Sequence, residues 1–416
     1  MTIDVVVVGG GPAGLAAALA AKTQGARVLL LERNDKLGKK LYITGKGRCN
    51  VSNLCGLQEF LAQVPRNPRF LYSALSALDP AGLRAWLEQL GCPTVVERGR
   101  RVFPASHKAS DVTRALQGGL APQEIRLMAQ VNQVVTDDGR VTGARLASGE
   151  FIPALALILA TGGLSYPATG STGMGHGIAE GLGHRVTPLS PALTGFDTLD
   201  DWPRALQGLT LKNVALRASW LPRGSWRGQG ELLFTHYGVS GPLALTLSSH
   251  LAGLDVAQAQ VWVDVKPAIP REELRQRLVK DIAAQGRKSL SGLLPAYLPA
   301  SLAAAFPGIL GLPGDLPLHQ LSAGAREALL EGFKRLPLRL RAHRPFKEAV
   351  ITRGGVDVRQ VNPSTMASRL VDGLYFAGEL LDVDALTGGY NLQIAFSTGA
   401  LAGRSAANMI KTRDGA

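Results

Sequence analysis

Two apolar runs near the N-terminus enclose a glycine-rich turn and a helical stretch. Ile3–Val8 is continuous and mostly β-branched, which predicts a strand buried on both faces. Ala13–Gln24 has a helical pattern that stops at Gly25. Arg27–Leu31 is a second, mostly apolar run and leads to Glu32. The segment has the length of a strand–helix–strand unit, so a parallel sheet is predicted from the start of the chain.

The remaining pattern alternates between helical and strand-like stretches. Residues 57–122 carry leucines at helical spacing, whereas 125–160 contain apolar runs separated by Asp-Gly and Ser-Gly turns, which is typical of a meander. Residues 188–265 are rich in short β-like runs, and 270–335 turn helical with a charged face. The last predicted elements are a strand, a glycine-rich turn and a long helix: Leu374–Ala377, Gly388–Asn391 and Asn391–Met409.

The composition excludes several classes of protein. The chain has 416 residues, 46% of them hydrophobic and 19% charged, so it is not disordered and can form two domains. Its 49 glycines exceed the usual share and indicate many tight turns. The 45 Lys and Arg against 32 Asp and Glu give a net charge of +13, which favours anionic partners without choosing among them. Three cysteines are too few for a disulfide scaffold and fit a reducing compartment.

Membrane and metal sites are not expected either. No uncharged stretch approaches the ~18–20 residues of a membrane span. The N-terminus carries Asp4 where a signal peptide would have basic residues. The histidines do not combine with cysteines or carboxylates at the spacing of metal ligands. We therefore expect a cytoplasmic protein without a bound metal.

A nucleotide-binding pattern follows the first strand. Gly9-x-Gly11-x-x-Gly14 lies between a predicted strand and a predicted helix, and Glu32 ends the next strand. The first glycine permits the sharp turn, the second lets a pyrophosphate approach the backbone, and the third packs helix on strand. Glu32 would accept hydrogen bonds from a ribose. The pattern predicts a bound dinucleotide and leaves FAD and NAD open.

The C-terminal pattern favours FAD. Gly378-Glu379-Leu380-Leu381-Asp382 places two carboxylates after a strand, and Gly388-Gly389-Tyr390-Asn391 opens the last helix. A second helix N-terminus would suit a long cofactor, because its dipole stabilises negative charge at the N1/C2=O edge of a flavin. Ala160-Thr161-Gly162-Gly163 follows a further buried strand and resembles the second fingerprint of flavoproteins with two dinucleotide-binding domains.

Three longer motifs resemble one family of bacterial flavoproteins. They are Lys39–Asn53, Leu233–Pro242, and Gly378-Glu379-x-x-Asp382 with Gly388–Gln393. The family is often labelled aminoacetone-oxidase-like, and a relative acts as a bile-acid enone reductase. The resemblance covers roughly residues 3–410. One departure is Gln360, where the family pattern would carry a carboxylate, and we assign that position no role.

The resemblance implies the fold class and its division. The expected fold is α/β, with a glutathione-reductase-like Rossmann FAD domain in two segments, residues 1–187 and 346–416. An inserted domain, 188–345, would have a β-rich part, 188–268, and a helical part, 269–345.

The motifs also nominate the residues that bind the cofactor. In chain order these are Gly9, Gly11, Pro12, Ala13, Gly14, Glu32, Arg33, Lys40, Gly47, Arg48, Cys49, Asn50, Val131, Ala160, Thr161, Gly162, Gly163, Gly378, Glu379, Asp382, Gly389, Tyr390, Asn391 and Leu392. The loop Gly45–Asn53 and the turn Gly388–Asn391 are expected on either side of the flavin ring.

Catalytic candidates are fewer. His236 and Tyr237 lie in a glycine-flanked motif of the inserted segment, and Arg48 and Asn50 lie in the glycine-rich loop. A redox disulfide between Cys49 and Cys55 is not favoured, because their spacing and surroundings differ from those of the disulfide reductases. Cys49 is instead expected as a small residue against the flavin.

The predicted function is that of an FAD-dependent oxidoreductase. A hydride would pass through flavin N5 to or from a small organic substrate, with an enone-type reduction as one form of this reaction. No second Gly-x-Gly-x-x-Gly follows a strand, so NAD(P)H is left open only as a transient electron donor. Two alternatives remain: an FAD-dependent enzyme that modifies RNA, which the charge of +13 would suit, and a non-catalytic flavin-binding redox module. Against RNA, no basic stripe with interleaved aromatic residues is evident in the sequence. The oligomeric state is left open.

Overall fold

The computed structural model describes residues 3–414, and its strands alternate with helices along most of the chain. In chain order the strands are β1 (Ile3–Val8), β2 (Val28–Leu31), β3 (Ser52–Asn53), β4 (Thr94–Glu97), β5 (Arg101–Pro104), β6 (Ile125–Arg126), β7 (Val131–Asp137), β8 (Arg140–Leu146), β9 (Phe151–Leu159), β10 (Ser190–Ala192), β11 (Phe196–Thr198), β12 (Thr210–Trp220), β13 (Gly224–Thr235), β14 (Gly238–Ser240), β15 (Gln260–Asp264), β16 (Leu336–Pro337), β17 (Leu340–His343), β18 (Ile351–Arg353) and β19 (Leu374–Phe376).

The α-helices vary from a single turn to a long final helix. They are α1 (Pro12–Thr23), α2 (Leu57–Leu61), α3 (Tyr72–Ala77), α4 (Pro80–Gln89), α5 (Ala109–Gly118), α6 (Met174–Gly181), α7 (Trp202–Ala205), α8 (Pro242–Leu251), α9 (Arg271–Ala284), α10 (Leu290–Leu293), α11 (Ala300–Ile309), α12 (Ala323–Arg335) and α13 (Tyr390–Asp414). Within residues 3–414, no helix is both long enough and apolar enough to cross a membrane.

A mixed sheet with a parallel centre forms the middle of the first unit. Its order is β6-β2-β1-β9-β8-β7, and β19 also pairs with β9. The strands β6, β2, β1, β9 and β19 run parallel, whereas β7 and β8 form an antiparallel meander that returns to β9. The apolar run of β1 is buried from Asp4 onwards because strands flank it and helices cover the sheet. The predicted α/β fold with a Rossmann-type domain is confirmed.

The first and last helices, α1 and α13, pack closely against each other. In α13, a Cβ added at Gly399 would lie 2.1 Å from the carbonyl oxygen of Ala13, and one at Gly403 would lie 2.1 Å from that of Ala17. Any side chain at these two positions would therefore push the final helix away from α1. The small residues of α1 and α13 explain how the last helix of the chain comes to lie beside the first.

The segment 57–122 is less helical than its leucine spacing predicts. The strands β4 and β5 form a hairpin within it, and β3 joins them in a three-stranded antiparallel sheet. The connecting residues Arg98-Gly99-Arg100 are polar, and these strands are only two to four residues long. Such short strands show almost no alternation of polar and apolar positions, which is why the sequence pattern did not predict them.

Contacts divide the chain into two compact units. One comprises the residues up to Ala192 and those from Phe346 onwards, and the other is Leu193–Pro345. The second unit has a seven-stranded sheet in the order β16-β15-β12-β13-β14-β11-β17, in which every paired strand is antiparallel. Its core combines one face of this sheet with helices α8 to α12 and includes Phe306 and Phe333.

Candidate functional site

Three parallel strands of the first unit end side by side. Val8 of β1 is in register with Leu159 of β9, which is in register with Phe376 of β19. The residues that follow are the glycine turn at Gly9 and the segments starting at Ala160 and Ala377. Because ligands of open α/β sheets bind at the carboxyl ends of strands, this edge is the candidate site.

The three glycines of the first turn have three different surroundings. Gly9 has φ of +108°, and an added Cβ would lie 2.5 Å from the carbonyl oxygen of Ala160. An added Cβ at Gly14 would lie 1.8 Å from the carbonyl oxygen of Gly9, so α1 can pack on the turn only without a side chain there. At Gly11 an added Cβ would meet nothing within 4 Å. The middle glycine therefore faces open space, as the approach of a pyrophosphate requires.

Glu32 is buried beside this turn. One carboxylate oxygen accepts a hydrogen bond from the Gly10 N–H at 2.7 Å. The other accepts from the backbone N–H and the side-chain amide of Asn34, at 2.8 and 2.7 Å. A carboxylate has about four lone-pair sites, so one remains for a ribose hydroxyl. Glu32 thus supports the glycine turn and still has capacity to bind a ligand.

The segment after β9 is joined to the segment after β19 by a polar network. Lys40 donates to Ser165 and forms an ion pair with Glu379, both at 2.6 Å. The second oxygen of Glu379 accepts from the Ser165 hydroxyl and from the Thr352 N–H, each at 2.8 Å. The network fixes Lys40 and Glu379, two predicted cofactor residues, next to Gly163, whose added Cβ would lie 3.1 Å from a Glu379 oxygen.

The loop Gly45–Asn53 has a left-handed backbone at several positions. Gly45, Lys46, Gly47 and Cys49 all have φ between +56° and +86°. The Cys49 side chain is fully buried, and this burial raises the pKa of its thiol to about 12. A thiol with that pKa stays protonated at neutral pH and is a poor redox nucleophile. That Cys49 packs as a small residue against the flavin stays a prediction.

This loop adjoins the turn that opens α13. An added Cβ at Gly389 would lie 2.3 Å from the carbonyl oxygen of Ser52 and 2.8 Å from Oδ1 of Asn50. The Ser52 hydroxyl also donates to the Gln393 side chain at 2.5 Å. The two segments therefore contact each other directly. That both of them contact the flavin ring stays a prediction.

The Asn391 side chain closes its own loop. Its Oδ1 accepts from the Ala385 N–H at 2.9 Å, and its amide donates to the Ala385 carbonyl at 2.7 Å. Tyr390 packs edge-to-face on Phe60 at 5.1 Å between ring centroids, and burial raises the pKa of its hydroxyl. Both side chains thus hold the turn in shape, and their contact with a cofactor stays a prediction.

The Arg48 side chain contacts the three-stranded sheet of β3, β4 and β5. Its guanidinium forms an ion pair with Glu97 and contacts His107 at 2.8 Å. It also lies over the Phe103 ring, 4.3 Å from the centroid. The charge of Arg48 is therefore compensated by Glu97, and any effect on a flavin will be smaller than that of an unpaired arginine.

Two aspartates follow β19 in different environments. Asp382, a predicted cofactor residue, is 2% exposed and pairs with Nε of Arg66 at 2.5 Å. Asp384 is 1% exposed, and neither of its carboxylate oxygens has a hydrogen-bond partner within residues 3–414. Burial raises the pKa of Asp384 to about 6, although Arg353 opposes the shift. The local sequence pattern around Asp384 gives no sign of its burial, so Asp384 was not among the predicted site residues.

His176 is a second buried residue that was not among the predicted site residues. It lies on α6, is 3% exposed, and neither ring nitrogen has a hydrogen-bond partner in the described part of the chain. Burial lowers the pKa of His176, so the ring is neutral at physiological pH. A run of glycines around His176 was the available signal, because it allows α6 to approach Thr161: an added Cβ at Gly175 would lie 1.9 Å from its hydroxyl.

Four further predicted cofactor residues lie at separate positions of the first unit. Arg33 donates to the Thr172 hydroxyl at 2.7 Å, Val131 is buried at the start of β7, and Leu392 is half-buried in the first turn of α13. Gly378 has φ of +72°, and an added Cβ there would lie 2.7 Å from that of Ala13. Only Gly378 among these four is shown to touch the glycine turn.

The catalytic candidates of the second unit, His236 and Tyr237, pack against each other, and Arg344 lies beside Tyr237. Tyr237 is half-buried and packs edge-to-face with the exposed His236. The Arg344 guanidinium lies 4.3 Å from the centroid of the Tyr237 ring and pairs with Asp197 at 2.9 Å. An added Cβ at Gly195 would lie 3.0 Å from the Tyr237 hydroxyl, so the glycine makes room for this ring. The phenol is thus held in one place by a cation and a glycine.

The residues at the strand ends fit a flavin dinucleotide. Asn50 Oδ1 and Thr161 Oγ1 are buried and lack hydrogen-bond partners among the described residues. Unpaired buried polar atoms are rare in folded proteins and call for an explanation. Both atoms belong to predicted cofactor residues. Two further features of the site are the open space at Gly11 and the remaining acceptor site of Glu32. A dinucleotide with phosphates and a polar ring would satisfy all four features.

Comparison with known proteins identifies the family. Residues 3–405 match the family described as HI0933-like protein Rossmann domain. The chain belongs to this family. It is 32% identical over 413 residues to a 3-dehydro-bile acid delta(4,6)-reductase of Clostridium scindens, covering 96% of this chain and 98% of that protein. It is 31% identical over 409 residues to a ribosomal RNA dihydrouridine synthase of Escherichia coli, covering 95% and 96%.

A solved structure shares the fold over almost the whole chain. It is a 3-ketosteroid-delta4-(5alpha)-dehydrogenase from Rhodococcus jostii, with a TM-score of 0.51, 17% identity, and coverage of 98% of this chain and 97% of that one. The family and the fold agree, so this member of the HI0933-like family is an FAD-dependent oxidoreductase. Neither relative is named an aminoacetone oxidase, so that label is not shown for this chain.

Proposed function

We propose that this protein reduces a carbon–carbon double bond conjugated with a carbonyl group, using FAD. The observation that carries the proposal is the pair of relatives at 31–32% identity over nearly their full lengths. The name of one describes reduction of a steroid with double bonds in positions 4 and 6 next to a 3-oxo group. The name of the other describes formation of dihydrouridine from uridine, whose reduced ring double bond is conjugated with a ring carbonyl. The two substrates differ, but the bond that is reduced is of the same kind.

Such a reduction sets three requirements for the chain. A hydride must reach the carbon remote from the carbonyl, and FAD supplies it when bound. A proton must reach the carbon next to the carbonyl, and the carbonyl oxygen must be stabilised while it carries negative charge. The residues that would position FAD are Gly11 and Glu32 at the strand ends, together with the turn at Gly389 that opens α13.

Tyr237 is our candidate for the proton donor. Its ring is fixed by Arg344 and by the space at Gly195, and a fixed donor is what proton transfer to carbon requires. His236 packs edge-to-face against the same ring and is exposed to solvent. Arg344 lies against the face of the same ring and restricts its orientation.

The substrate we favour is a small conjugated ketone. A uridine in RNA is the second candidate, because the net charge of +13 suits a polyanion and one relative is named for RNA. The reaction at the double bond is the same for both.

The test is anaerobic reoxidation of the FAD-loaded protein. The flavin is first reduced by light, and then conjugated enones, saturated ketones and uridine-containing RNA are added separately. We expect the absorbance of oxidised flavin to return with conjugated acceptors only. Recovery with saturated ketones, or no recovery with any conjugated acceptor, would refute the proposal.

Tyr237→Phe tests the proton donor. The variant should bind FAD normally and reoxidise about 10²–10⁴-fold more slowly with the best acceptor, as for removal of a general acid. Tyr72→Phe, at a tyrosine that is 40% exposed on α3, is the matched control and should react like the unmodified protein. Equal rates for Tyr237→Phe and the control would assign the proton to another group.

A further inference from the structure

One face of the sheet in the second unit carries arginines and a tryptophan on neighbouring strands. Arg217 of β12 lies directly opposite Arg227 of β13, and on its other side it is in register with Trp262 of β15. Residues in register point to the same face of a sheet, so the three side chains form a row across it. The Arg335 guanidinium lies over the Trp262 ring, 4.4 Å from its centroid. We call these four residues the basic face.

The basic face lies outside the core of its unit. Val261 and Val263, the neighbours of Trp262, are buried in the core, so Trp262 points the other way. Three other tryptophans of this unit, Trp202, Trp220 and Trp226, pack against the core, but Trp262 does not belong to that set. Arg217 and Arg227 are exposed to solvent, and Trp262 is partly exposed.

The arginines of this face lack the acidic partners that others in the unit have. Arg271, Arg339 and Arg344 each pair with a carboxylate. Within residues 3–414, Arg217 and Arg227 form no ion pair, although two like charges directly opposite each other destabilise a sheet. The acid on the same side of β13 is Glu231, four residues or about 13 Å along the strand from Arg227.

We propose that the basic face binds a single-stranded segment of RNA. The opposed arginines would contact successive phosphates, and a base would stack on the layer formed by Trp262 and Arg335. A row of cations beside an aromatic ring is how proteins bind single strands, because phosphates give affinity and every base has a face that can stack. Basic residues beside a tryptophan are also found where proteins contact lipid headgroups, so the test includes vesicles as the competing partner. The proposal concerns a partner and is independent of the reaction proposed above, since a small ketone could still be the substrate.

The test measures binding of a fluorescein-labelled oligouridylate to the FAD-loaded protein by anisotropy over a series of salt concentrations. The variant Arg217→Gln/Arg227→Gln should lower the slope of log affinity against log salt by about 1.4, since each phosphate contact to a single strand contributes about 0.7. Extrapolated from 1 M salt, that slope corresponds to about 14-fold weaker binding at ~0.15 M. The matched control Arg287→Gln/Arg326→Gln removes two exposed arginines from the helical part, and its binding should be unchanged.

A second pair of variants tests the stacking. Trp262→Ala should weaken binding about fivefold or more at every salt concentration without changing the slope, whereas Trp262→Phe should retain most of the affinity. Thermal unfolding of each variant shows that the sheet is intact.

Three results would overturn the proposal. They are an unchanged slope in the double variant, an equal loss in the arginine control, and binding to phosphatidylglycerol vesicles with no binding to RNA. Because the assay does not use the flavin reaction, its outcome is separate from that of the reoxidation experiment.

Discussion

The glycines of the first turn allow cofactor binding to be separated from folding by two alanine substitutions. Gly11 has φ of −81° and ψ of −175°, an extended conformation that any residue adopts and that suits the position before Pro12. An alanine Cβ there would meet no protein atom within 4 Å. In Gly14→Ala the same Cβ would lie 1.8 Å from the Gly9 carbonyl oxygen. Gly11→Ala should therefore block FAD, and Gly14→Ala should disturb the fold.

The expected sizes follow from this geometry. Gly11→Ala leaves the stability of the apoprotein within about 1 kcal/mol of the unmodified chain, and reduced freedom of the unfolded state favours a small gain. Displacing the pyrophosphate from the turn costs one or two hydrogen bonds to a charged group, at about 1.5–3 kcal/mol each. We take about 3 kcal/mol, which corresponds to roughly a 150-fold weaker affinity for FAD. Gly14→Ala should cost the apoprotein more than about 2 kcal/mol, because backbone must move.

Calorimetric titration of the apoprotein with FAD and thermal unfolding of the apoprotein measure both quantities. The result expected for Gly11→Ala is an unchanged unfolding transition with greatly weakened binding. Normal FAD affinity in Gly11→Ala would show that the open space at this glycine is not where the cofactor lies. An unfolding transition as low as that of Gly14→Ala would show that Gly11 has a structural role.

Three further predictions concern individual parts of the molecule. Asp384→Asn should change the pH dependence of stability, because the folded-state pKa of about 6 lies above the ordinary value of 3.8 for an aspartate. The Asp384 carboxyl therefore lowers the free energy of unfolding as pH rises from about 4 to 6. Urea titrations should show that the stability difference between variant and parent changes by about 3 kcal/mol across that range. An equal difference at both ends would mean that Asp384 is not buried as described. Arg48→Met should lower the flavin potential by less than about 30 mV in a redox titration, because Glu97 already compensates the arginine, and a larger drop would place its charge on the ring. Replacing residues 193–345 by a Gly/Ser linker should leave a core that binds FAD by absorbance, because β10 and β18 on either side pair with each other, whereas an insoluble product that never binds FAD would show that the two units fold together.

The sequence predicted those parts of the fold that depend on local pattern. The strand Ile3–Val8 has the predicted bounds, and the predicted helix Ala13–Gln24 begins and ends one residue earlier in the structure, at Pro12 and Thr23. These elements have long apolar runs and glycines with fixed roles, so their pattern is strong. The hairpin Thr94–Pro104 has neither and was missed.

The sequence predicted which residues belong to the candidate site, but not which of them contact each other. Lys40 and Glu379 are in contact although they lie 339 positions apart in the sequence. The contact between Arg48 and Glu97 depends on the hairpin that was not predicted. The basic face is a further example, since Arg217, Arg227 and Trp262 are far apart in sequence and meet only through sheet register. For this reason the sequence showed no basic stripe with aromatic residues, whereas the structure does.

Product analysis after a single anaerobic turnover tests the central claim most directly. The FAD-loaded protein, reduced by light, is mixed with one equivalent of the conjugated ketone that reoxidises it fastest, and the organic product is identified by mass spectrometry. The account predicts one molecule of product per flavin, carrying two additional hydrogen atoms across the double bond and an intact carbonyl. Reduction at the carbonyl to an alcohol, or reoxidised flavin with unchanged ketone, would contradict it.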